Sequence, residues 1–285
     1  MDILVTGASG QLGHDLVLEL VGRGHVVTGV SSKELNLLDS EAVEVYLIAR
    51  RPDAVIHCAG YTAVDLAEDE KEKCFAVNVQ GTEALASACA AVGSKLLFIS
   101  TDYVFSGDGE RPWEPDDPPK PLNVYGMSKY LGEEAVRRSV PEHFIVRISW
   151  LFGVNGKNFV KTMLRLRAER EQITVVNDQI GSPTYTKDLS VLLSDMIETD
   201  RYGTYHATNE GFCSWYEFAC AIMEEAGLPC RVLSVSSDQY PSRAKRPANS
   251  RMSKDKLTEN GFHRLPPWQD ALRRYLQELK ENENG

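Results

Sequence analysis

Thr6-Gly7-Ala8-Ser9-Gly10-Gln11-Leu12-Gly13 follows a short apolar run, Ile3-Leu4-Val5, and opens an amphipathic segment that reaches Val21. Three glycines at a spacing of three, set between a strand and a helix, leave few folds open. The first permits a tight turn, the second lets a ligand's pyrophosphate approach the backbone, and the third lets helix and strand touch. An anion placed there meets free N–H groups at the positive end of a helix. In this context the pattern predicts a dinucleotide loop, whereas glycines alone would be compatible with any tight turn.

The next 140 residues repeat the same alternation. Apolar runs at residues 25–30, 54–57 and 95–100 are separated by helix-length segments at 41–50 and 78–92. Runs without polar alternation suit strands buried on both faces, and helices between them suit parallel crossovers. The expected fold is α/β: a Rossmann-type doubly wound parallel sheet with a smaller mixed α/β C-terminal substrate domain. Residues 1–150 form the expected nucleotide domain, with part of 172–203 returning to it, and 151–285 mainly the substrate domain. Residues 106–123 hold five prolines and two glycines and read as a surface loop over the strand ends, ordered or mobile.

Charge narrows the partners. The 285 residues carry a net charge of -10, which opposes nucleic-acid binding because phosphate neutralisation needs a basic face. Six cysteines, at 58, 74, 89, 213, 220 and 230, form no C-x-x-C pair and read as free thiols of a reducing compartment. No basic-then-apolar leader opens the chain, and no run approaches the roughly 20 apolar residues of a membrane span. A cytoplasmic protein is expected. His57, His206 and His263 stand apart from other ligand types, so no catalytic metal is expected.

Chemistry concentrates at two places. Ser100-Thr101-Asp102-Tyr103-Val104-Phe105 closes a strand, and Tyr125-Gly126-Met127-Ser128-Lys129 begins a helix. Residues four apart share a helix face, so Tyr125 and Lys129 can enter one site. A phenol with a pKa of about 10 is a poor proton donor at neutral pH unless a neighbouring ammonium stabilises its phenolate. The Thr101 hydroxyl can hold a carbonyl beside it. After the second strand, where an acid would read a ribose 2′-hydroxyl, stand Ser31-Ser32-Lys33. Small hydroxyls and a lysine can accept a 2′-phosphate, which favours NADPH, with NADH the alternative. Lys33 equally suits a solvated loop.

Together these features resemble the extended short-chain dehydrogenase/reductase superfamily. Ala59-Gly60-Tyr61-Thr62-Ala63-Val64-Asp65, the Thr101–Phe105 element, Asn177-Asp178-Gln179-Ile180-Gly181-Ser182-Pro183-Thr184 and Arg246-Pro247-Ala248-Asn249-Ser250-Arg251 resemble the dTDP-4-dehydrorhamnose reductase family. The resemblance spans nearly the whole chain. It implies hydride transfer from a nicotinamide to the C4 carbonyl of dTDP-4-dehydro-β-L-rhamnose, giving dTDP-L-rhamnose. Tyr125 would protonate the emerging oxyanion, Lys129 would tune it and hold the nicotinamide ribose, and Thr101 would orient the carbonyl. The resemblance assigns the cofactor to Gly7, Ser9, Gly10, Gln11, Leu12, Gly13, Ser31, Asn36, Leu37, Ala59, Gly60, Tyr61 and Thr62, together with Tyr125 and Lys129. Val64, Asp102, Tyr103, Trp150 and Asn158 would meet the substrate, although Val64 and Trp150 equally suit a core and Asp102 a turn cap.

Arg246 and Asn249 sit in a Ser/Pro-rich segment of an acidic protein, and arginine forks suit a diphosphate, as does a plain surface loop. Two positions depart from the family: Asn36 replaces an adenine-contacting Asp, and Cys58-Ala59-Gly60 replaces three alanines. The dTDP-sugar is the expected partner, and a homodimer is compatible with the reading. A reductase or epimerase of another nucleotide sugar is the alternative, as is a non-catalytic regulatory subunit. An intact Thr101, Tyr125 and Lys129 argues against the latter.

Overall fold

Successive strand residues point to opposite faces, so an unbroken apolar strand needs cover on both sides. The computed structural model, which describes residues 1–240 and 242–284, shows this arrangement. Its first half runs β1 (Asp2–Thr6), α1 (Gln11–Gly22), β2 (Val26–Val30), α2 (Ser40–Arg50), β3 (Ala54–His57), α3 (Val64–Ala67) and α4 (Lys71–Phe75). A π turn (Ala76–Gln80) leads into α5 (Gly81–Val92), β4 (Lys95–Thr101), α6 (Val124–Ser139) and β5 (His143–Ile148). Ile3 and Val5 join Leu97, Ile99, Phe144 and Val146 in one core, while Leu4 joins Val55, Leu96, Phe98 and Ile145 in the other.

The second half runs β6 (Leu151–Phe152), α7 (Phe159–Glu169), β7 (Gln172–Val176), β8 (Ile180–Gly181), β9 (Thr184–Tyr185), α8 (Thr186–Ile197) and β10 (Gly203–His206). Then come β11 (Asn209–Glu210), β12 (Cys213–Ser214), α9 (Trp215–Glu225), β13 (Arg231–Val235), α10 (Asp255–Glu259), β14 (Leu265–Pro267) and α11 (Trp268–Asn284). The main sheet has the order β10-β5-β4-β3-β1-β2, all parallel. Residues 186–206 thus supply its edge strand and the helix α8 that packs beside α1. Residues 172–176 take no part in it and pair with β13 instead.

A third core unites Phe152, Tyr185, Phe218, Trp268 and Tyr275, with α7, α9 and α11 contributing. The loop 106–123 is held down: Trp113 stacks on Phe105 at 4.8 Å, and its backbone N–H donates to the Arg251 carbonyl at 2.8 Å. β13 lies in the Ser/Pro/Arg-rich stretch, where the short run Val232-Leu233-Ser234-Val235 carries too weak a signal to predict a strand. No helix among the described residues is long and apolar enough to cross a membrane.

Candidate active site

The strand order reverses between β1 and β3, and a ligand crevice belongs at such a point, outside the carboxyl ends of the strands. A cleft of about 710 Å³ opens there. Its floor is made by the ends of β1, β3 and β4, its far wall by Ile148, Ser149, Trp150 and Leu151 after β5. One end holds Gly7, Ser9, Gly10, Gln11, Leu12, Gly13, Ser31, Asn36 and Leu37; Ala59, Gly60, Thr62 and Val64 follow β3. Thr101, Asp102, Tyr103, Tyr125 and Lys129 line the other end.

The backbone at the three glycines is tight at two positions and open at the third. Gly7 has φ +70°, and a Cβ there would lie 2.6 Å from the Ala59 nitrogen. A Cβ on Gly13 would lie 2.3 Å from the Gly7 carbonyl oxygen, so α1 touches the turn. At Gly10 a Cβ would meet only that same oxygen, at 3.2 Å, which leaves the cleft side open for a ligand. With the first N–H groups of α1 behind it, this cradle fits a dinucleotide pyrophosphate. Gly60 is constrained as well, since a Cβ would press on Asn78 Oδ1 at 3.1 Å. Asn78 lies in the π turn, accepts from the Tyr61 N–H at 2.7 Å and donates to Ser128 Oγ at 2.9 Å. No sequence periodicity marks it, because a π turn breaks the 3.6-residue register.

Asn123 caps α6 by accepting from the Gly126 N–H at 2.8 Å, which fixes where Tyr125 and Lys129 enter the site. Burial pushes the Tyr125 phenol well above its ordinary range, against the hydrogen bond with Thr101, which favours the phenolate. Burial draws Lys129 down to about 7, opposed by the Glu133 carboxylate one turn on. Lys129 Nζ lies 3.9 Å from the centroid of the Phe98 ring. Tyr125 therefore keeps its proton at neutral pH, and the lowering of its pKa that a neighbouring Lys129 ammonium was expected to bring is outweighed by burial. Tyr103 meets it edge-on, with ring centroids 5.7 Å apart.

Thr101 Oγ1 donates to Asp102 Oδ1 at 3.0 Å and accepts from the Tyr103 N–H at 3.2 Å. Ser250 Oγ donates to Asp102 Oδ2 at 2.5 Å. Burial lifts the Asp102 carboxyl to about 6, with the two hydroxyl bonds working against it. Trp150 adopts a left-handed φ of +50° and stacks on Trp215 at 3.7 Å.

Several residues expected at the ligands lie elsewhere. Asn158 is absent from the cleft lining; it caps α7 through the Lys161 N–H at 3.0 Å and donates to Gln11 Oε1 at 3.0 Å. Asn249 is buried, donating to the Arg111 carbonyl at 2.8 Å and accepting from Arg251. Both are engaged by the protein's own polar groups. Tyr61 also stands off the cleft, its hydroxyl donating to Glu70 at 2.9 Å. Arg246 donates to Asp65 Oδ2 at 2.6 Å and reaches the site through Tyr103, whose burial-raised phenol its charge partly lowers.

Lys33 is likewise outside the lining, and Ser31 gives its N–H and hydroxyl to Glu34 at 2.9 and 2.5 Å. The acid three residues further on, itself outside the lining, thus engages both polar groups of Ser31. Trp215 and Val77 also line the cleft, and no sequence motif points to either. Ser214 and Glu217 form a capping box that marks a helix start, yet it says nothing of where Trp215 points.

The family model of the RmlD substrate binding domain matches residues 1–281. The spore coat polysaccharide biosynthesis protein SpsK of Bacillus subtilis is 44% identical over 276 residues, covering 97% of each chain. The dTDP-4-dehydrorhamnose reductase of Escherichia coli is 38% identical over 293 residues, covering 98% of each. The crystal structure of dTDP-4-dehydrorhamnose reductase from Bacillus anthracis in complex with NADP superposes with a TM-score of 0.95 at 44% identity, over 97% of this chain and 99% of that one. A Rossmann cleft, a phenol and ammonium on one helix face and likeness along the full length lead to one conclusion: the chain belongs to the dTDP-4-dehydrorhamnose reductase family of oxidoreductases.

Proposed function

We propose that the protein reduces the C4 keto group of dTDP-4-dehydro-β-L-rhamnose to give dTDP-L-rhamnose, with NADPH as reductant. The observation that carries the reading is the placement of Thr101, Tyr125 and Lys129 at one end of a cleft whose other end is the glycine loop. When bound, the dihydronicotinamide supplies the hydride. Tyr125 donates its phenolic proton to the oxygen that becomes the C4 hydroxyl, and burial keeps that proton in place until then. Lys129, four residues on and on the same face, offers donors to the ribose of the cofactor and to the phenolate left behind. Thr101 faces the carbonyl. Trp150, stacked on Trp215, gives the sugar an apolar wall.

Gly7, Gly10 and Gly13 hold the pyrophosphate, and Asn36 and Leu37 border the adenine. Arg246 sits behind Tyr103 and faces the nucleotide diphosphate of the substrate. Likeness to a spore coat polysaccharide protein agrees with a product used in cell-surface polysaccharide synthesis. The test is the loss of NADPH absorbance on adding dTDP-4-dehydrorhamnose, compared with 4-keto sugars on other nucleotides and with NADH. Oxidation with another nucleotide sugar but not with this one would overturn the substrate assignment, and a preference for NADH would overturn that of the cofactor.

A further inference from the structure

A hydroxyl group has one hydrogen to donate and two lone pairs to accept with. The hydrogen of the Thr101 hydroxyl is already used within the protein. It goes to Asp102 Oδ1 at 3.0 Å, while the oxygen accepts from the Tyr103 N–H at 3.2 Å. In this arrangement Thr101 has nothing to give a substrate carbonyl. Asp102 decides the matter, because an ionised carboxylate can only accept.

Asp102 is also unusual as a carboxylate. It is 3% exposed and lines the cleft, yet among the described residues no Arg, Lys or His forms an ion pair with it. Its side-chain partners are two hydroxyls, Thr101 and Ser250. The titratable groups facing it are the phenols of Tyr103 on its own turn and Tyr125 on α6, both of which its negative charge disfavours as phenolates. Arg246, from the segment that carries Ser250, is directed to Tyr103 and Asp65. A buried carboxylate without a cation is costly to ionise and readily takes a proton.

We propose that Asp102 is a positioning residue that must carry a proton in the reactive state, so that it donates to Thr101 and turns the Thr101 hydrogen toward the substrate carbonyl. One proton is taken from solvent by the Asp102 carboxylate and stays on it; no bond to substrate is made by Asp102. The inference rests on the reductase reading, which wild-type turnover tests separately. With protonation required, kcat/KM for the sugar nucleotide falls as pH rises through the Asp102 pKa, which burial sets at about 6. Ser250→Ala removes a donor that stabilises the ionised form and moves this limb to higher pH.

Asp102→Asn supplies an N–H donor at every pH and loses the limb, whereas Asp102→Ala supplies none. The asparagine variant should exceed the alanine variant by roughly tenfold or more in kcat/KM, the scale of one transition-state hydrogen bond. A carboxylic acid C=O band in the infrared spectrum of the wild-type protein at pH 5, missing from Asp102→Asn, provides a readout independent of turnover. The proposal is overturned if Asn keeps the wild-type limb, if Asn is no better than Ala, or if that infrared band is absent from wild type.

Discussion

Replacing Tyr125 by Phe removes one oxygen from a buried site and leaves the ring that packs edge-on against Tyr103. Turnover should fall by roughly 10²–10⁴-fold, the cost of losing a general acid. NADPH affinity, read by nicotinamide fluorescence, should change little, because the glycine loop proposed to hold the pyrophosphate is untouched. Near-normal turnover would remove Tyr125 from the mechanism. Arg246 poses a different question. Its guanidinium already donates to Asp65 at 2.6 Å, but five N–H groups leave donors free for a diphosphate. Arg246→Ala should raise the substrate KM by roughly tenfold, the scale of one charge-assisted hydrogen bond, while NADPH affinity stays constant. If both KM and kcat match wild type, the arginine serves only to pin Asp65 and Tyr103.

At the scale of elements, α6 carries Tyr125 and Lys129 and is itself anchored by a buried ion pair. Glu133 accepts from Arg147 of β5 at 2.8 and 2.7 Å, from Ser100 of β4 at 2.6 Å and from Arg137 at 2.9 Å. Burial opposes ionisation of Glu133, but these donors outweigh it and hold the carboxyl below its usual range. A depressed folded pKa contributes stability that is fully present above the unfolded value, about 4.5, and lost as pH falls below it. Glu133→Ala leaves Arg147 buried without its counter-ion and should cost about 3–5 kcal/mol at neutral pH in urea denaturation, with a smaller difference in acid. An unchanged midpoint would mean that α6 is held by packing alone.

This pair shows what a single sequence reveals. The Tyr125/Lys129 face and the glycine loop are legible because each depends on spacing within one element. Glu133 and Arg147 meet across 14 residues from two elements, and no local pattern marks them. Two-residue strands such as β6 and β9 are too short for periodicity, which is why the second half was readable only as mixed α/β. That Asn158 and Asn249 are engaged by the protein's own groups is invisible in sequence for a related reason. A buried amide that satisfies backbone groups has the same sequence signature as one that binds a substrate.

Across the whole molecule, the second half grips the glycine loop directly. Gln11 Oε1 accepts from the Gly153 N–H at 3.1 Å and from Asn158 at 3.0 Å, while Asn155 donates to the carbonyls of Ser9 and Gly10 at 2.9 and 3.2 Å. Asn158 also donates to Tyr275 of α11 at 3.0 Å, so one side chain links the cofactor loop to the third core. On the other side of α1, Thr186 of α8 donates to Asp15. A ligand in the glycine loop therefore stabilises both halves. NADPH at a hundredfold over its Kd contributes about 2.7 kcal/mol, a rise of roughly 5–10 °C in Tm for a chain of this size. Calorimetry should show one transition that moves as a unit. In Asn158→Ala the cap of α7 and the link to Gln11 are both lost, so the Tm falls by the few degrees that about 1 kcal/mol represents. The NADPH-induced rise should then be confined to the part of the transition that belongs to the main sheet. Two separate transitions in the wild-type protein, only one of them moved by NADPH, would show instead that the halves unfold independently and that Gln11 is gripped too weakly to couple them.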